Sequence, residues 1–264
     1  KGSDYTPLDL NFDQTRISIS AGARYKLERW MNVAAKFSYL KVHGDDASTK
    51  DIYRHPRNLN FKSNILELSA RAEFGYQSTR RGGNKYGLRK NYGRSRNITH
   101  NLFGFLGIGA FYFNPWGRTP SGEYVKLKPL HTEGQGLPGG PKEYSNYSIS
   151  VPIGVYYKMT LNKTWSFGIE FCYRKTFTDY IDDVGTSYYN PLALREAYGP
   201  LTAQMADPNL YPKDNPQYRP TGPAADGTAA QRGDRQKDAF LSLELTVGYT
   251  FKQQRKSARL RSKF

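Results

Sequence analysis

Any chemistry in this chain has to come from charge. The stretch "RRGGNKYGLRKNYGRSR", residues 80 to 96, holds seven Lys or Arg and no acid: Arg80, Arg81, Lys85, Arg89, Lys90, Arg94 and Arg96. A tail after Phe251, "KQQRKSARLRSKF", adds Lys252, Arg255, Lys256, Arg259, Arg261 and Lys263. Basic segments interleaved with glycine and aromatics grip phosphate backbones, so with a net charge of +16 nucleic acid is the first partner class to weigh. The acidic counterpart is "DYIDDV", with Asp179, Asp182 and Asp183. Hard cations take several such oxygens, but the spacing matches no EF-hand loop. The expected role is to cap loop turns or to pair with Arg174 and Lys175.

Catalytic constellations are missing from the pattern. His43, His55, His100 and His131 are scattered singly, without a close pair at metal-ligand spacing. Cys172 is the one cysteine, which rules out an internal disulfide. Neither a G-x-S-x-G nucleophile elbow nor a phosphate loop occurs. The expectation is a protein that is not an enzyme and has no cofactor and no metal.

The elements that would position these charges are strands. Mean hydropathy is −0.73 and hydrophobic residues make up 38%, a lean core for a soluble domain of 264 residues, yet aromatics reach 14%. No apolar run approaches the roughly 18 residues of a helical membrane span. Apolar and polar residues instead alternate, over segments near the roughly 9 to 11 residues of a membrane-crossing strand. In "AFLSLELTVGYTF", residues 239 to 251, Leu241, Leu243, Leu245, Val247, Tyr249 and Phe251 oppose Ser242, Glu244, Thr246, Gly248 and Thr250. The same reading predicts strands at 15 to 27, 33 to 42, 65 to 76, 99 to 113, 147 to 159 and 165 to 177. The strand at 99 to 113 is apolar on both faces around Phe103 and Phe105. Short turns fall at 28 to 32 and 160 to 164, and long connections at 43 to 62, 114 to 146 and 178 to 238.

A soluble sandwich would alternate too. The polar faces decide, because they carry full charges: Arg16, Arg24, Lys36, Glu67, Arg71, Glu73, Glu170, Arg174 and Glu244. The opposite faces are apolar and end in aromatics. Lipid outside, aromatic girdles and a polar interior produce that arrangement. The expected fold is all-β: an eight-stranded antiparallel transmembrane β-barrel of the OmpA-like kind, occupying residues 1 to 251. Seven strands are found here, and bacterial barrels have an even number. The first strand is therefore expected upstream of, or truncated at, residue 1, with "DYTPLDLNF" in the first external loop. Side chains fill a barrel of eight strands, so Arg16, Arg24, Glu67, Arg71, Glu73, Glu170, Arg174 and Glu244 should form a packed network and leave no pore. Each buried acid needs a cation to offset its desolvation. The final "LTVGYTF" looks like a barrel-assembly signal.

Four ordered stretches carry a family resemblance: "RNLNFKSNILELSARAEF" at 57 to 74, "FGFLGIGAFYFNPWG" at 103 to 117, "LHTEGQGLPG" at 130 to 139 and "RKTFTDYIDDVGTSYYN" at 174 to 190. They resemble the PorG-like outer-membrane β-barrel family of the Bacteroidota type IX secretion system. The resemblance runs from about residue 15 to 190 and returns in the last strand. It implies location in the cell outer membrane and association with a periplasmic ring built by a ring lipoprotein and its partner protein. The machinery exports adhesins, enzymes and, in gliding species, motility proteins.

Strand parity assigns sides. It puts 28 to 32, the basic turn 77 to 98, 160 to 164 and the tail 252 to 264 in the periplasm, and the three long connections outside. The thirteen basic residues of the turn and tail then share one zone. A solvated skirt drawn to lipid headgroups is one reading. A docking surface for an acidic ring component is the one that the resemblance favours, and nucleic acid drops out because little of it is found in the periplasm. Two other functions stay open: an independent OmpA-like barrel binding surface ligands through its external loops, and a small pore or enzyme of the outer membrane.

Overall fold

The computed structural model describes residues 16–48, 54–79, 99–161, 164–209, 231–233 and 236–251. Alternating sequence becomes antiparallel strands: β1 (Ile19–Lys26), β2 (Met31–Asp45), β3 (Asn60–Thr79), β4 (Thr99–Arg118), β5 (Tyr124–Lys126), β6 (Tyr147–Thr160), β7 (Trp165–Thr176) and β8 (Ala239–Tyr249). Seven of them pair in the order β1-β2-β3-β4-β6-β7-β8, and β5 is a short ribbon on the end of β4. The seven segments expected from periodicity are these seven. The sheet curls into a partial barrel, so the chain is all-β with its polar face turned in.

Every pairing in that path is antiparallel, so β1 and β8 run the same way. They do not pair with each other; between them lies a cavity of about 750 Å³, lined by Ser20, Lys36, Arg71, Glu170 and Glu244. A strand lying between them would have to run antiparallel to both to continue the pattern of the sheet. The expected position of such a strand, ahead of residue 1, and the loop assigned to "DYTPLDLNF" lie outside the described residues.

Strand length differs from the expectation, most at the long-loop end; at the other end β2 starts at Met31, within the expected turn 28 to 32, and β3 runs to Thr79, into the expected basic turn 77 to 98. β3 and β4 each run 20 residues, and β2 runs 15. The β2-β3 ladder continues out to Asp45↔Asn60 and the β3-β4 ladder to Lys62↔Trp116. The ends of the predicted connection at 43 to 62 and the start of that at 114 to 146 are thus hairpin. Periodicity stopped early because polar residues on both faces of these strand ends erase the alternation once neither lipid-like nor core surroundings demand it. The connection at 178 to 238 is not plain loop either. It contains α2 (Pro191–Tyr198) and α3 (Pro200–Ala206), after a single turn α1 (Arg54–Arg57) in the β2-β3 connection. Asn190 starts α2, its side chain accepting from Leu192 N at 2.9 Å, with Pro191 at the first helical position where its missing N–H costs nothing.

The sheet has two distinct faces. Leu66, Leu68, Leu106, Ile108, Ile169, Leu243 and Leu245 are exposed on the outer wall. Inside, Phe103, Phe105, Tyr156 and Cys172 cluster toward the short-turn end, and Leu40, Ile65, Phe111, Phe113, Tyr144 and Ile181 toward the long-loop end. The double apolar face of β4 is explained by this: its phenylalanines fill the interior while Leu102, Leu106 and Ile108 face out. Among the described residues no helix is long and apolar enough to cross a membrane.

Candidate functional site

Two polar assemblies stand out, one inside the sheet and one across its long-loop end. The inner one grows from inward positions on five strands. Arg24 of β1 meets Glu73 of β3 through Nε at 2.5 Å and Nη2 at 2.9 Å. Glu73 also takes Arg71 Nε at 3.1 Å. Arg71 forks onto Glu170 of β7, both bonds 2.7 Å, and Glu170 takes Lys36 Nζ at 2.8 Å. Lys36 reaches Glu244 of β8 at 2.7 Å. Arg174 closes the sequence, 3.6 Å from Glu244 and 2.7 Å from Glu67.

The result is an alternating chain of four cations and four carboxylates. Glu67, Glu73, Glu170 and Arg174 are almost wholly buried. Hydroxyls take part of the remaining capacity: Ser20 donates to Glu244 at 2.6 Å and Ser150 to Glu67 at 2.6 Å. Arg71 and Arg24 also lie over the rings of Phe105 and Tyr156, 4.3 and 4.2 Å from the centroids. Alternation of sign is what lets eight charges share this space: each inner ion has two opposite neighbours, while at the ends Glu67 adds the Ser150 hydroxyl and Arg24 the Tyr156 ring.

Of the eight interior charges expected from the sequence, Arg24, Glu67, Arg71, Glu73, Glu170, Arg174 and Glu244 meet here. Arg16 does not. It lies ahead of β1, exposed, on the rim of the gap. Lys36 is the central cation, and its inward position was visible from alternation along 33 to 42. Cys172 is buried and inward beside Phe105 and Tyr156.

The second assembly brings together two of the quoted motifs. Asp183 sits at positive φ (65°), a conformation that Asp tolerates better than most residues. Its carboxylate accepts from Thr132 Oγ1 at 2.6 Å and Tyr144 OH at 2.7 Å. Glu133 accepts the Gly185 and Thr186 amides at 2.9 and 3.1 Å and the Thr186 hydroxyl at 2.7 Å. Arg232 binds both halves, Nη1 lying 3.3 Å from Glu133 and donating to the Asp183 carbonyl at 2.6 Å. Tyr144 stacks on Tyr180, centroids 4.5 Å apart, roofing the upper apolar cluster.

Burial pushes the Asp183 carboxyl up to about 6, against the opposing pull of Arg232 and of its two hydroxyl donors. Burial and the neighbouring Asp238 raise Asp182 as well. The phenol of Tyr144 is raised by burial and by Asp183.

Asp182 does cap a loop turn, accepting from Val184 N at 3.0 Å, and Asp183 is held by Thr132 and Tyr144 rather than by Arg174 or Lys175. Arg174 turns inward to Glu67, and the Lys175 ammonium goes to the Lys237 carbonyl. Asp183 is held from across the loops because alternation puts Arg174 below it, inside the sheet. Thr132, Glu133 and Tyr144 were not singled out from the sequence, although the first two fall in a quoted motif. Arg232, within an otherwise featureless connection, gave no signal. Among the described residues no cluster of His, Cys, Asp and Glu is arranged to hold a metal ion. The thirteen basic residues expected to bind a partner, Arg80 to Arg96 and Lys252 to Lys263, lie outside the described residues.

No protein-family model, no curated protein and no solved structure matches the chain.

Proposed function

We propose that this protein is a non-catalytic component of the outer membrane that anchors the periplasmic ring of a type IX secretion system. The observation carrying the membrane part is a curled sheet with a largely apolar outer wall around an interior that holds a chain of buried ion pairs. A soluble protein seldom exposes such a wall, whereas lipid requires it. The secretion part rests on the four motifs that resemble those of the PorG-like barrels and on the basic turn and tail, whose charge would complement an acidic ring component. Complementary surfaces of this kind fix register and speed encounter.

The mechanism is positional. A barrel filled by an ion chain has no need to conduct; it holds a basic surface at a set height beneath the membrane. Replacing the seven basic residues of 80 to 96 and the six of the tail with glutamine should release the ring lipoprotein and its partner from the barrel in pull-downs from detergent-solubilised membranes, with the barrel still folded. Ring components that stay bound at wild-type yield, with secretion intact, defeat the docking function.

A second reading is favoured by the loop assembly. A cap built on buried Glu133, Asp183 and Arg232 presents α2 and α3 as a fixed platform, as an independent barrel that binds surface ligands would need. Deleting 191 to 206 separates the two functions, since ring docking does not use that platform.

A further inference from the structure

The outer wall is not uniform at the long-loop end. Lys62 of β3 pairs across with Trp116 of β4, which pairs with Lys126 of β5. Two rungs beyond, on the same face, Arg118 pairs with Tyr124. Lys41 of β2 opposes Asn64, two residues from Lys62 on the same face. These side chains share the outward face, since the inward positions of the same strands are occupied by Ser38, Leu40, Ser63, Ile65 and Phe113.

Rings hold the three lysines. The Lys62 ammonium lies 3.2 Å from the Tyr124 centroid, Lys126 lies 5.6 Å from Trp116, and Lys41 lies 5.6 Å from Tyr39. Arg118 is partly answered by Asp45 at 3.5 Å. Cation–π contact orders an ammonium without cancelling its charge, so this corner of the wall keeps a concentrated positive field.

Height along the wall selects the partner. On β4 the outward residues from Leu102 to Tyr112 are predominantly apolar. Ten residue steps of ~3.4 Å at a tilt of ~40° rise about 26 Å, close to the ~25 Å apolar band of a membrane barrel. Trp116 lies four steps further, about 10 Å above that edge by the same geometry, in the headgroup layer. Cations presented sideways there meet lipid headgroups before they meet another protein.

Resting on the membrane reading above, we infer that Lys41, Lys62, Lys126 and Arg118, set among Trp116 and Tyr124, form a binding site for a phosphate-bearing lipid headgroup of the outer leaflet. A phosphate monoester carries close to two negative charges and three acceptor oxygens. It can bridge Lys62 and Lys126 across the face of Trp116 while its acyl chains lie along the apolar wall.

The test uses the whole chain folded in neutral maltoside micelles and native mass spectrometry with diphosphoryl lipid A, the same lipid stripped of phosphate, and inorganic phosphate as competitor. Wild-type protein should retain the phosphorylated lipid at least tenfold better than the stripped one, and millimolar inorganic phosphate should not displace it. The pair Lys62→Gln and Lys126→Gln should abolish that preference, while Lys175→Gln on β7, outside the cluster, preserves it. If the first pair prevents folding, judged by its β-sheet circular dichroism, Lys41→Gln with Lys126→Gln makes the same test. Equal retention of both lipids, an unchanged double variant, or displacement by inorganic phosphate overturns the site, the last by making it a free-anion site. A chain that will not enter neutral bilayers overturns the membrane reading along with it. One that enters them and ignores phosphate overturns this inference alone.

Discussion

Arg174 has lost nearly all contact with solvent and answers Glu67, Ser242 and Glu244 at once. Removing one member of a buried pair strands the other, which costs ~3–5 kcal/mol, whereas replacing both with apolar groups is close to neutral. Arg174→Met should therefore lower unfolding stability by about that amount, and adding Glu67→Leu should restore most of it; denaturant titration in detergent reads the difference. Asp183 supplies a pH test. Its carboxyl ordinarily titrates at 3.8 and in the fold at about 6, so the folded state binds the proton more tightly. Its contribution to stability is complete below 3.8 and is lost as pH rises through 6. Protection of the Gly185 and Thr186 amides, taken relative to their intrinsic pH-dependent exchange rates, should then fall between pH 4 and pH 6, and Asp183→Asn should flatten that fall.

Strands were the most legible elements, because a two-sided environment imposes period two on the sequence. The inward parity of Glu67, Arg71 and Glu73 could be read directly from β3. Where both faces become polar or both apolar, as at the outer ends of β2 to β4 or around Phe103 and Phe105, parity survives in the structure but fades from the sequence. Glycine marks another place where the element depends on what it packs against. A Cβ on Gly154 would lie 2.1 Å from the Phe171 carbonyl and 2.6 Å from the Phe105 ring. Gly154→Val should destabilise the sheet by ~3 kcal/mol or more, since both backbone and an aromatic must move; loss of the heat-modifiable folded band on a gel is the measurement. Short helices are the least legible: α2 is held by its Asn190 cap and by Tyr198 against Gln135 and His131, and α3 by burial of Thr202, Met205 and Ala206, neither by a long amphipathic stripe.

At the scale of the whole molecule, seven paired strands and an ion chain that joins β1, β2 and β3 to β7 and β8 make a cross-linked interior. Planar bilayers containing the purified protein should show no discrete conductance steps; regular single-channel openings would contradict an interior packed with side chains. Alternation and the sign of each inward residue were fixed by the sequence, because both are local: one residue decides one side of one strand. Which carboxylate meets which cation was not, since Arg174 and Glu67 are 107 residues apart and become neighbours only when the sheet curls. Arg232 shows the same limit most plainly. Nothing near it in the chain announces a role, and its value comes from standing where Glu133 and the Asp183 carbonyl converge. Curvature, not composition, selected those partners.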